Sequence, residues 1–185
     1  MYWFTADFHL SHKNIIKYCN RPFKDVEQMD TVILTNLENS LESGDILYYL
    51  GDLTFKEEIA KEFFERFNDL KIYYIIGNHD NPKVLKIAKQ NCVSISNLMD
   101  IEIEGLFITL CHYAMRVWNK SHFNAWQLYG HSHGTLDPIG KQYDVGVDNN
   151  MFRPISITQL IRIMTELPNN LNYIPPEKRR NNSLT

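Results

Sequence analysis

Five short apolar runs punctuate the chain, and each stops on a side chain able to hold a cation. Tyr2-Trp3-Phe4-Thr5-Ala6 leads into Asp7-Phe8-His9, and residues 45–50 lead into Gly51-Asp52. Residues 72–76 are followed by Gly77-Asn78-His79-Asp80, residues 106–110 by Cys111-His112, and residues 126–129 by Gly130-His131-Ser132-His133. Runs this short, rich in β-branched and aromatic residues and nearly continuous in hydrophobicity, predict strands of a sheet buried on both faces. In open α/β sheets ligands gather at the carboxyl ends of the strands, so five such ends can converge on one site.

Between these runs the apolar period lengthens to that of a helix. Val26, Met29, Ile33, Leu37 and Leu41 recur every three to four residues, and Asp25 with Gln28 supplies a capping-box start. Thr54 and Glu57 repeat the T-x-x-E spacing before Ile59, Phe63, Phe64 and Phe67. Pro82 opens a third helix that runs to about Gln90. Ser156 and Gln159 cap a last one through Ile163, after a strand-like stretch at 142–147. Alternating strand and helix predicts a layered α/β domain spanning 1–167. From Pro168 onward Asn, Pro, Lys and Arg dominate, so 168–185 is expected to be a loosely held polar extension, with Lys178-Arg179-Arg180 a solvated run.

Composition narrows the function classes. A chain of 185 residues with 44% hydrophobic and 22% charged residues suits one globular domain. A net charge of −3 gives no basic field, which argues against duplex nucleic acid as a partner and leaves any phosphate recognition to local groups. Cys19, Cys92 and Cys111 are odd in number and lack C-x-x-C spacing, which argues against a disulfide framework and a thiolate zinc knuckle and for a reducing compartment. No stretch approaches the ~20 apolar residues of a membrane span, and the first six residues lack the basic start of a signal peptide, so a cytoplasmic protein is expected.

Taken singly, the motifs are ambiguous. Asp7-x-His9 is compatible with a solvent-facing pair, and Gly51-Asp52 with ordinary turn chemistry. Gly77-Asn78-His79-Asp80 carries a histidine that a turn does not need. Gly130-His131-Ser132-His133-Gly134 presents two imidazoles between glycines that let backbone approach closely. Together Asp7, His9, Asp52, Asn78, His112, His131 and His133 form a set of oxygen and nitrogen donors without sulfur. Such a set suits Mn²⁺, Fe²⁺, Zn²⁺ or Ni²⁺, and seven donors exceed one tetrahedral ion but match two ions sharing a carboxylate.

The same blocks, in the same order and at similar separations, resemble the calcineurin-like metallophosphoesterase superfamily over roughly residues 1–150. His12-Lys13-Asn14-Ile15-Ile16, Asn20-Arg21-Pro22-Phe23 and His112-Tyr113-Ala114-Met115-Arg116-Val117-Trp118 are similar to wording in its small bacterial and phage phosphoesterases. The resemblance implies a four-layer αββα sandwich of two mixed β-sheets flanked by helices, with a metal centre at one edge. It further implies one ion on Asp7, His9, Asp52 and His133 and another on Asp52, Asn78, His112 and His131, Asp52 bridging, with Mn²⁺ the expected metal. In the superfamily's protein Ser/Thr phosphatases the Gly-Asp block continues into a further Asp and an Arg. Here Leu53-Thr54-Phe55-Lys56 follows, which departs from that subgroup and leaves Asp80, by adjacency alone, as the residue to orient His79.

Two cations ~4 Å apart neutralise a phosphoester and hold a bridging hydroxide in line with the scissile bond. The expected activity is therefore hydrolysis of phosphodiester or phosphomonoester bonds in small, nucleotide-like substrates. Asp52, His79 and Asp80 form the expected catalytic set, with His79 as general acid. His12, Arg21 and Arg116 are the expected phosphate-gripping side chains. A nuclease of the same superfamily is the alternative within the enzyme class, and a basic track beside the site would favour it. A non-catalytic scaffold on this fold, as in the retromer complex, would have lost ligands, whereas all seven are present. Phe8, Cys111, Trp118, Trp126 and Tyr129 are assigned to packing, and oligomeric state leaves no signal.

Overall fold

In the computed structural model, which describes residues 1–179, the apolar runs become the central strands of two mixed sheets. In chain order the elements are β1 (Tyr2–Thr5), α1 (Ile15–Tyr18), α2 (Val26–Ser40), β2 (Ile46–Tyr49), α3 (Glu57–Arg66), β3 (Lys71–Ile75) and α4 (Pro82–Asn91). They continue with β4 (Ser94–Ser96), β5 (Leu98–Ile103), β6 (Leu106–Cys111), β7 (Trp126–Tyr129), β8 (Gln142–Asp144), β9 (Ile155–Ser156) and α5 (Ile157–Glu166). The first sheet has the order β4-β3-β2-β1-β9, parallel except for β9, and the second β5-β6-β7-β8, parallel except for β5.

Register explains why the central strands are apolar on both faces. Trp3, Leu47 and Ile72 align across the first sheet, and so do Thr5, Tyr49 and Tyr74. Leu47, Tyr49, Ile72 and Tyr74 point toward the helices, where Met29, Ile33 and Leu37 of α2, Phe63 and Phe64 of α3 and Val84 of α4 meet them. The alternate residues Phe4, Tyr48, Leu50 and Ile75 point the other way, onto Ile108, Leu110 and Leu128 of the second sheet and Ile157, Leu160 and Met164 of α5. Each such fully buried Leu, Ile or Phe contributes about 2 kcal/mol, so the sandwich is held from both faces of its first sheet.

Beyond the second sheet lies the segment 113–125, which includes the 3₁₀ turn Ser121–Phe123. Its main chain bonds to Gln127 and Gln142, and Asn119 reaches Asp100. Residues 168–179 are fastened to this segment, contrary to the expected loose extension. Asn170 is buried, its carbonyl oxygen accepting from the Lys141 N–H (2.6 Å) while its amide donates to Ser121 O and Ala125 O (2.9 Å each). Arg179 stacks over Phe123, and the rest of the predicted basic run, Arg180, lies outside the described residues.

Local details also differ from expectation. Helix α3 begins at Glu57, and Thr54 does not cap it; its hydroxyl donates to Leu10 O (2.8 Å) and accepts from Lys56 N (3.1 Å). The Ser156–Gln159 capping box on α5 forms as expected, and Asn81 caps α4. Strands β4, β5 and β9 and helix α1 are not foreseen. Among the described residues no helix is long and apolar enough to cross a membrane.

Candidate metal centre

The donors sit on loops past the strand ends, in backbone conformations that carry strain. Asp7, His9, Asp52, His131 and His133 have φ of 62°, 50°, 61°, 66° and 49°. A non-glycine residue held there costs about 1 kcal/mol or more and persists only where its surroundings enforce it. The pair is not solvent-facing on a strand: β1 stops at Thr5, Asp7 and His9 are buried, and the chain beyond β1 is a ladder of left-handed turns. Bonds from Asp7 N to Gly51 O and from His9 N to Asp52 O (3.0 Å each) zip this loop to the one after β2. Phe8, between them, is buried in the helix-side core as expected.

Glycines make room for the carboxylates. A Cβ on Gly77 would fall inside the Asp52 carboxylate, and one on Gly130 would lie 2.6 Å from Asp7 Oδ2. These gaps let the His79 N–H donate to Asp52 Oδ1 and the His131 N–H donate to Asp7 Oδ2, both at 2.8 Å. With one oxygen of each carboxylate tied back, the other faces inward. Asp52 Oδ2 lies 3.6 Å from His9 Nε2 and 3.4 Å from His112 Nε2, and Asn78 Oδ1 is 3.0 Å from His112 Nε2.

Imidazole orientation is set from behind. His112 Nδ1 meets Leu50 O at 2.7 Å, so Nδ1 carries the proton and Nε2 turns its lone pair inward. His133 Nδ1 meets Asp148 Oδ2 at 2.7 Å, and Asp148 is gripped by Arg21 through two bonds of 2.7 Å. Two groups of donors result: Asp7, His9 and His133, and Asp52, His112 and His131, each with ligand atoms within 4.8 Å of one another.

The donors fit divalent ions on two physical grounds. Asp7 Oδ1 and His9 Nε2 are buried without any hydrogen-bond partner, an arrangement that protein atoms alone leave costly. Burial pushes the Asp7 carboxyl up to about 7 and drives the His9 imidazole down to about 3. Burial also acts against the charged form of His133, but the bond to Asp148 overrides it and raises that group to about 10. The surroundings alone already keep His9 neutral but favour protons on Asp7 and His133, so a dication would bind by displacing those protons and replacing their charge with its own.

Around the centre opens a cleft of about 800 Å³, lined among others by His9, His12, Tyr18, His79, His131 and His133. His12 is in place there. His79 is exposed to the cleft, its ring 5.2 Å edge-on from Phe55, which also packs on His12 at 5.0 Å. Three expectations need correction. Asp80 does not touch the His79 ring; it is buried and accepts from Asp52 N, Leu53 N, Gly77 N and the Tyr74 hydroxyl. Arg21 is buried, and beyond Asp148 its guanidinium donates to Asp7 O (2.7 Å) and Phe8 O (2.9 Å), so its donors are spent on bracing the centre. Arg116 is exposed and does not line the cleft.

Asp148 and Asp144 escape the sequence reading. Asp144 is buried and accepts from the Ser132 hydroxyl (2.6 Å), Gly134 N (2.9 Å) and Gly146 N (2.8 Å), fixing the loop that carries His131 and His133. The available signal was two carboxylates four residues apart after a strand-like run, with no other assigned role.

The model of the calcineurin-like phosphoesterase family matches residues 2–177. The uncharacterized protein MJ1445 of Methanocaldococcus jannaschii is 31% identical over 172 residues, covering 88% of this chain and 90% of that protein. The solved protein of unknown function AQ665 from Aquifex aeolicus superposes with a TM-score of 0.68 at 27% identity, over 88% of this chain and 98% of its own. A solved archaeal phosphodiesterase reaches a TM-score of 0.46 at 17% identity over 78% and 81% of the two chains, too distant to bear on fold or chemistry. On the breadth of the family match, the chain belongs to the calcineurin-like phosphoesterase family, whose members bind divalent metal ions.

Proposed function

We propose that this protein hydrolyses phosphodiester or phosphomonoester bonds of small, nucleotide-like substrates at a centre of two divalent ions. The observation that carries the reading is the convergence of two donor groups on a shared carboxylate, Asp52 Oδ2 standing 3.6 Å from His9 Nε2 and 3.4 Å from His112 Nε2. In this reading Asp7, His9 and His133 hold one ion, Asn78, His112 and His131 the other, and Asp52 both. Manganese is the first choice among the metals that such donors accept. Two such ions, when bound, neutralise phosphoryl charge and supply a nucleophile from water near neutral pH.

The chain's own residues do the remaining work. His79 is pinned by its backbone N–H to Asp52 while its ring faces the cleft, so it sits beside the centre without belonging to it. From there a ring N–H can pass its proton to the leaving oxygen. Phe55, packed against both rings, limits how far His79 and His12 can swing. Burial, helped by His79 and Arg21, lowers the His12 pKa, so at neutral pH it serves as an uncharged N–H donor to a phosphate oxygen.

The test is hydrolysis of bis(p-nitrophenyl) phosphate by metal-stripped protein reloaded with manganese, with activity appearing at two equivalents and lost on chelation. Saturation below two equivalents, or no turnover of either nitrophenyl mono- or diesters, defeats the proposal. His79→Asn is expected to slow alkyl esters by about 10²-fold and nitrophenyl esters far less, since a good leaving group needs no proton. Equal losses on both would remove His79 from the acid role.

A further inference from the structure

A second cavity, of about 450 Å³, opens between α5, the amino end of β1 and the turn after the 3₁₀ segment Val147–Asn149, and shares no lining residue with the metal-site cleft. Arg153 and Arg162 line it, and no carboxylate does. Among the described residues neither guanidinium has an acid within ion-pair distance; both residues are exposed, as are the likewise unpaired Arg116 and Arg179, and what sets them apart is that both border one cavity. In a protein of net charge −3, two unpaired arginines facing one hollow make a local anion site.

The rest of the lining is selective. Trp3 and Tyr143, both half-buried, contribute aromatic surface and have their polar ends already engaged, the indole N–H by Asp45 (2.9 Å) and the phenol by Asn150 (3.1 Å). Their rings are thus left as apolar walls. Asn149 uses its amide N–H on Asp144 O but leaves its carbonyl oxygen without a partner among the described residues. Gln159 spends its oxygen on Ser156 and leaves its NH₂ in the same condition. One free acceptor and one free donor beside aromatic walls suit the edge of a heterocyclic base, and the arginines suit a phosphate. The volume lies in the range of small-molecule sites.

We infer that this cavity binds a mononucleotide, its phosphate on Arg153 and Arg162 and its base against Trp3 and Tyr143. The site stands apart from the chemistry proposed for the cleft. The test is calorimetric titration of the full-length protein, both manganese-loaded and, to exclude turnover at the cleft, metal-stripped, with adenosine 5′-monophosphate, ribose 5-phosphate and inorganic phosphate. Circular dichroism and the thermal midpoint serve as checks of folding that do not depend on activity. The nucleotide is expected to bind saturably, about tenfold or more tighter than ribose 5-phosphate, and about tenfold or more weaker to Arg153→Ala/Arg162→Ala. Trp3→Phe, which keeps a ring, is expected to hold most of the affinity, and Arg116→Ala all of it. Absence of saturable binding overturns the inference. So does equal affinity of the double-arginine variant, which would put the binding at the metal centre, and so does equal affinity for nucleotide and ribose 5-phosphate.

Discussion

Replacing Asp148 by Asn would test whether the centre is braced from outside its own donors. The side chain keeps its shape but loses the charge that holds His133 Nδ1 at 2.7 Å and Arg21 through two bonds of 2.7 Å. The Arg21 side chain is fully buried, so its charge would face a neutral amide, and breaking a buried pair in this way costs about 3 kcal/mol or more. For a chain of this length each kcal/mol moves the melting midpoint by roughly 2–4 °C, which puts the drop at about 6–12 °C. His133 would also lose its orienting acceptor, and such losses weaken metal binding about 10–100-fold. The two effects separate in Arg21→Met/Asp148→Asn, which removes the stranded charge. That variant should recover only part of the melting temperature, because Asp7 O and Phe8 O lose their donor, while manganese affinity, read by calorimetry on metal-stripped protein, stays low. An unchanged midpoint and unchanged affinity in Asp148→Asn would refute the bracing argument.

Other perturbations probe separate features. Gly77→Ala forces a methyl into the Asp52 carboxylate, so saturating manganese should fall from two equivalents to one or fewer, with about 1–3 kcal/mol lost in denaturant unfolding. Asn170→Ala leaves the Lys141 N–H without its acceptor and removes one of two donors from each of Ser121 O and Ala125 O, costing about 1–3 kcal/mol, and trypsin should then cut at Lys178 and Arg179 sooner than in the parent protein. Asp30, whose carboxyl burial raises from 3.8 to about 6, should impose a pH slope on stability. Because the folded pKa is the higher one, the unfolded chain ionises first, so stability falls as pH climbs from about 4 to about 6 and is level above that. Asp30→Asn should erase the slope, gaining about 1 kcal/mol at pH 7 after allowance for solvent screening and converging with the parent below about pH 4 in melting curves.

The candidate donors are legible because each follows a buried parallel strand, where the apolar run and the abrupt polar stop leave a clear mark. Asp7, Asp52, Asn78, His112, His131 and His133 all stand where such a run ends. Hidden from the sequence were groups whose partners are far along the chain. Arg21 meets Asp148 across 127 residues, and no local pattern tells a guanidinium that grips a carboxylate from one that awaits a phosphate. Asp80 shows the same limit, since adjacency to His79 says nothing about direction in a turn. Strand β5 alternates half-buried and exposed residues as an edge strand, a weaker pattern than the continuous runs of the sheet centres. Asn170 looks like a residue of a solvated tail and is a buried clasp, because asparagines carry their own donors and acceptors into the interior.

The four bonds gathered by the Asp80 carboxylate have a consequence for how such a site can diversify. They tie the loop after β2 to the loop after β3 at a single atom pair, so Asp52 and Asn78 travel as one rigid unit. An insertion in either loop would dislodge both, and His112, which leans on Leu50 O, would shift with them. Changes in cleft width, in evolution or by design, are therefore easier along the segment 113–125 than in the loops after β2 and β3.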